Sequence, residues 1–140
     1  MATPILTYGS ESWACTEKQK RKLEVMEMRF LRKIDGKTRM DKIRNEKFRE
    51  KLSSKPIREV VEESQLRWFG HVKRMGEERI TRRIYEARPG VRRKKGRPRK
   101  EWQNEVIEAV KNRGKDWREA TRLTQDRKRW RQFWKKMNPE

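Results

Sequence analysis

Residues 56–75 read PIREVVEESQLRWFGHVKRM, and this stretch decides the fold class. Ser53-Ser54-Lys55 break the chain before it. Pro56 suits a first helical turn, where its missing N–H costs nothing. Ile57, Val60, Val61, Trp68, Val72 and Met75 then recur at helical spacing and predict a helix over 56–75 with one apolar face. Gly70 inside it costs about 1 kcal/mol relative to Ala. It therefore predicts a close packing contact or a local bend near His71. Arg67, His71 and Arg74, four and three residues apart, share a second face with Trp68 beside them. A helix with one apolar face and one cationic face needs other helices to cover the first.

The flanking sequence supplies them. Thr16 and Gln19 have the spacing of a capping box, which predicts a helix to about Ile34 with Leu23, Met26, Phe30, Leu31 and Ile34 as its apolar stripe. Asp35-Gly36 ends it. A short helix is expected within 37–53, with Asn45 as its cap. Another is expected over 77–86, carrying Ile80, Ile84 and Tyr85. A helix over 98–113 places Trp102, Val106, Ala109 and Val110 on one face. Asp116 begins a further helix, and a last one over 124–137 carries Trp130, Phe133, Trp134 and Met137. Only Pro4 to Tyr8 reads as a short strand or an extended lead-in. The expected fold is all-α.

Charge dominates the composition. The chain of 140 residues has 41 Lys/Arg, 21 Asp/Glu and a net charge of +20. Residues 71–140 hold 24 of the cations against 10 acids. Such an excess points to nucleic acid first and an anionic membrane surface second. No apolar run reaches membrane-spanning length, and no signal-peptide pattern opens the chain, so membrane insertion is not expected. Hydrophobic content is 31%, against roughly 45–50% in ordinary globular domains, so the core must be small. One cysteine, Cys15, and one histidine exclude an internal disulfide and a zinc finger or knuckle. A reducing compartment, nuclear or cytoplasmic, is the expected setting.

Arg88 to Lys100 contains eight cations in thirteen residues and no acid. It cannot bury itself, and phosphate is its natural counterion. It divides the chain into an expected first lobe (1–86), a basic linker (87–99) and a small C-terminal lobe (100–140). Within it, Gly96-Arg97-Pro98-Arg99-Lys100 resembles the core of an AT-hook. That resemblance implies that Arg97 and Arg99, held extended by Pro98, enter an A·T-rich minor groove. Arg92, Arg93, Lys94, Lys95 and Lys100 are expected on phosphates. Arg67, His71 and Arg74 form a second candidate contact face, and Arg127, Lys128, Arg129 and Arg131 a third. The tryptophans could stack on unpaired bases, but Trp102, Trp130 and Trp134 sit at helical core positions and are expected in packing, because few other large apolar residues are present. No catalytic role is assigned to His71, which has no partner acid or nucleophile placed for it. No cofactor, metal or small-molecule substrate is expected.

Four blocks occur in a recognisable order. They are Tyr8-Gly9-Ser10-Glu11-Ser12-Trp13, residues 66–75 (LRWFGHVKRM), residues 95–102 (KGRPRKEW) and Asp126-Arg127-Lys128-Arg129-Trp130-Arg131. The chain from Pro4 to Trp134 resembles the C-terminal region of a non-LTR (LINE-type) retrotransposon endonuclease–reverse transcriptase. The resemblance implies a thumb-like helical bundle over 1–86 and a basic C-terminal extension. That family's polymerase chemistry uses paired palm aspartates holding two metal ions. Asp35, Asp41, Asp116 and Asp126 are scattered, and no Asp-Asp pair occurs. The chain is thus expected to bind RNA and/or DNA without polymerising. Three alternatives stay open: an AT-hook-type chromatin protein, an RNA-binding module with little affinity for duplex DNA, and a transposon remnant without a selected function.

Overall fold

The computed structural model describes residues 3–87, Gly96 and residues 100–135. All regular structure among them is helical. The α-helices are α1 (Thr3–Leu6), α2 (Glu17–Ile34), α3 (Asn45–Lys51), α4 (Ile57–Arg74), α5 (Ile80–Glu86), α6 (Trp102–Asn112), α7 (Trp117–Leu123) and α8 (Arg127–Lys135), with 3-10 turns at Ser10–Ser12 and Arg39–Asp41. The all-α expectation holds. The strand option at Pro4 to Tyr8 does not, since helix α1 and a turn occupy that stretch. None of the described helices is long and apolar enough to cross a membrane.

Local chemistry sets the boundaries. At the start of α2 the Thr16 hydroxyl accepts from the Gln19 N–H, and the Gln19 side chain accepts from the Thr16 N–H, closing the expected capping box. Gly36, at φ +64°, takes the left-handed conformation that ends the helix. Asp116 caps α7 by accepting from the Arg118 N–H at 2.9 Å. Asp126 caps α8 by accepting from Lys128 and Arg129 N–H groups at 2.9 and 3.1 Å. Asn45 is not a cap. Arg44 holds that position without a side-chain bond, and the Asn45 amide oxygen instead accepts from Arg32 at 2.6 Å.

Helix α4 is the spine, touching α2, α5, α6 and α8. The main core joins its Leu66 and Phe69 to Val106, Ala109 and Val110 of α6, Ala120 of α7, and Trp130 and Phe133 of α8. Tyr85, Trp102 and Trp117 pack around it, with Phe69 5.1 Å from the Trp117 ring and Tyr85 5.9 Å from the Trp102 ring. The segments on either side of the basic linker therefore share one core. Polar contacts tie them further. The Trp102 Nε1–H donates to the Glu11 carbonyl at 2.6 Å, and Arg113 pairs with Glu62 at 2.9 Å. A second, smaller cluster joins Met28 and Leu31 of α2 to Phe48 of α3.

Which faces turn inward differs from the expected pattern in three places. Trp68 is only half-buried, whereas Leu66 and Phe69 are fully buried. Turning Leu66, Phe69 and Gly70 towards α6 and α8 leaves Trp68 on the flank of the helix. On α2 the inward seam runs through Glu27, Met28 and Leu31, because Phe48 packs there and Arg49 pairs with buried Glu27 at 2.9 Å. Met26, Phe30 and Ile34 are left on the surface. On α5 only Tyr85 reaches the core, while Ile80 and Ile84 are exposed.

Gly70 is explained by packing. A Cβ there would lie 2.1 Å from Nε1 and 2.4 Å from Cδ1 of Trp130. The missing side chain lets the indole lie against α4, where its Nε1–H donates to the Leu66 carbonyl at 3.0 Å. The close contact expected from the sequence is therefore the seat of α8 on α4.

Candidate nucleic-acid interface

Because Trp130 pins α8 to α4, the flanks of the two helices form the walls of a groove. It has a volume of about 600 Å³ and is lined by Arg67, Trp68, His71 and Arg74 from α4 and by Arg127, Trp130, Arg131 and Trp134 from α8, with Glu11 and Ser64 completing it. The α4 residues recur at helical spacing on one flank, and Arg127, Arg131 and Trp134 do the same on α8. Two cationic faces that are 53 residues apart in sequence, from Arg74 to Arg127, thus become one surface.

The groove's electrostatics are one-sided. Arg67, Arg127 and Arg131 are exposed and Arg74 is half-buried. None of the four forms an ion pair among the described residues, whereas Arg49, Arg58, Arg82 and Arg113 all do. Arg74 is fixed by donating to the Thr124 carbonyl at 2.7 Å, just before α8. Burial lowers the Arg74 pKa, and the nearby Arg127 guanidinium lowers it further. An arginine stays charged in a protein, so the two like charges are held together unneutralised. An anion placed between them would relieve that repulsion. Among the described residues Glu11 is the only acid lining the groove.

The rings divide into two kinds. Trp130 is the floor, 1% exposed, with its N–H committed to Leu66. Trp68 and Trp134 are half-buried walls. The exposed His71 ring lies 5.4 Å from Trp68 at a 44° tilt. Trp134, expected in packing, both touches the core and lines the groove. Its position one turn beyond Arg131 is the sequence signal for that second role.

The other expected contact residues fall elsewhere. Lys100 does not face outward to phosphate. It pairs with buried Glu105, and its ammonium lies 3.5 Å from Glu108 and 3.9 Å from Glu17. Lys20 meets the same Glu105 at 2.7 Å. A carboxylate 3% exposed needs such partners, so Lys100 neutralises a charge at the α2–α6 seam. Gly96 is exposed, with φ +126°. Arg92, Arg93, Lys94, Lys95, Arg97, Pro98 and Arg99 lie outside the described residues, as does Met137. Burial, and then the Glu105 carboxylate, raise the Cys15 thiol pKa, so its nucleophilic thiolate is scarce. Among the described residues no three His, Cys, Asp or Glu side chains gather as metal ligands would.

Comparison of the chain with protein-family models, with curated proteins and with solved structures finds no match.

Proposed function

We propose that the chain is a nucleic-acid-binding module that works without covalent chemistry, through the α4–α8 groove and the basic segment at 88–99. One observation carries this reading. Four arginines that have no carboxylate partner among the described residues are gathered in a single groove walled by two half-buried tryptophans. A core this thin holds like charges together only at a cost in self-repulsion, and phosphate is the ligand that removes it. The net charge of +20 extends the same field over the rest of the surface. The sequence resemblance gives this module a context, the C-terminal part of a non-LTR reverse transcriptase. There it would hold template RNA and target DNA while a palm domain extends the primer. Alone, the chain is expected to give a blank primer-extension assay.

Binding should follow counterion release, with log K falling linearly against log salt by about 0.9 per duplex phosphate or about 0.7 per single-strand phosphate. Fluorescence anisotropy with labelled RNA and duplex DNA across a salt series measures that slope. Replacing Arg127 and Arg131 by Ala should flatten it by about 1–2. A chain that ignores both nucleic acids at low ionic strength refutes the proposal. The order Gly96-Arg97-Pro98-Arg99-Lys100 supports a narrower reading, minor-groove preference. That reading requires A·T-rich duplex to compete best and the preference to vanish when Arg97 and Arg99 are Ala.

A further inference from the structure

We infer that the α4–α8 groove takes an unpaired strand, seating one or two bases against Trp68 and Trp134 while the arginines hold the flanking phosphates. The inference rests on the nucleic-acid reading above and names the form of the ligand. Three features of the groove carry it.

Its size comes first. About 600 Å³ lies within the roughly 300–1,000 Å³ of clefts that enclose a single small ligand. Such a space admits a base or two.

The second feature is the state of the rings. Trp102 and Trp130 have their N–H groups committed to the Glu11 and Leu66 carbonyls. Among the described residues, Trp68 and Trp134 make no such bond, and both line the groove half-buried. Among the described residues Trp68 lies outside both core clusters, and Trp134 touches the main core while also walling the groove. Aromatic faces of this kind stack on bases of any sequence, and only unpaired bases offer a face.

The third is the order of charges and rings along the walls. On α4 Arg67 and Arg74 bracket Trp68 and His71, and on α8 Arg127 and Arg131 lead to Trp134. Cations that flank rings suit a strand whose phosphates are held on either side of its stacked bases. An acidic peptide would satisfy the guanidinium groups but would leave the rings without a partner.

The test uses the full chain. A short oligothymidylate or oligouridylate and a blunt duplex of equal length are titrated at fixed salt, and a single-strand probe carries one 2-aminopurine. The single strand should bind more tightly, and the 2-aminopurine emission should be quenched as the base stacks. Trp68→Ala should weaken single-strand binding by roughly 5- to 150-fold, the equivalent of about 1–3 kcal/mol of stacking per base, and leave duplex binding unchanged. Trp68→Phe, which keeps a ring, should retain most of the affinity and the helical circular-dichroism signal. Equal affinity for duplex and single strand, no quenching, or displacement by polyglutamate as effective as by oligothymidylate would each overturn the inference while leaving the nucleic-acid reading standing. Absence of binding to every oligonucleotide would overturn both.

Discussion

Replacing Gly70 with Ala sets a gain in helix propensity against a loss in packing, and the structure decides the sign. Helix propensity alone favours Ala by about 1 kcal/mol. The new Cβ would sit 2.1 Å from Trp130 Nε1, where ordinary contact begins at 3.4 Å, so the indole must retreat by more than 1 Å. It has little room, because the Phe69 and Phe133 rings lie 5.8 and 5.2 Å away by centroid. Overpacking of this kind costs about 1–3 kcal/mol. Withdrawal of the indole also breaks its bond to the Leu66 carbonyl and strands a buried N–H, at about 1–3 kcal/mol. The net expectation is a loss of about 3 kcal/mol, or a fall of roughly 6–12 °C in Tm for a chain of this size. Urea denaturation followed by circular dichroism measures it. Adding Trp130→Phe should recover part of the loss, since a smaller ring clears the Cβ and the two sites are directly coupled. A Gly70→Ala variant as stable as the parent would refute the packing argument, and with it the account of how α8 is seated.

The remaining predictions concern the seams and the groove. Glu62→Ala strands the Arg113 guanidinium, which is 2% exposed, and should cost about 3 kcal/mol, measured by urea titration; a loss below about 1 kcal/mol would mean that water reaches Arg113. Burial, and secondarily Glu86, raise the Tyr85 phenol above its ordinary pKa of 10.0, so its contribution to stability is intact below about pH 10 and is lost as pH rises through the folded-state value. Tyr85→Phe should therefore weaken the fall in stability above about pH 10, and an unchanged alkaline limb would count against a buried phenol. Glu11→Gln removes an acid from the groove lining and should tighten binding at low salt by roughly 2- to 5-fold, an effect that fades as salt rises. Weaker binding would instead mean that the carboxylate accepts a hydrogen bond from the ligand.

Much of the helical plan is legible from short-range chemistry. The Thr16/Gln19 box, the Asp35-Gly36 stop and the Asp116 cap act within a few residues, so spacing alone reveals them. Gly70 was legible as a packing contact, although its partner, 60 residues on, was not. The inward faces were harder to read. Met26, Phe30 and Ile34 form a better apolar stripe than Glu27, Met28 and Leu31, yet the arrival of Phe48 and Arg49 decides which seam is buried. Periodicity ranks faces by hydropathy and is blind to a partner helix. Trp68 was misread for the same reason, as the largest apolar residue on a helix whose real contacts lie at Leu66 and Phe69. For the candidate site, both cationic faces were visible, whereas their convergence was not, because it depends on the Trp130 anchor. Lys100 was taken for part of the basic run, and only the fold reveals the buried Glu105 beneath it.

The edge-on meeting of Tyr85 and Trp102 brings the two ends of the intervening stretch to one spot, with ring centroids 5.9 Å apart. Helix ends that meet ring to ring keep a fixed separation. The end of α5 and the start of α6 are thus positioned by the core they share. Such a junction is a natural graft point for an inserted peptide.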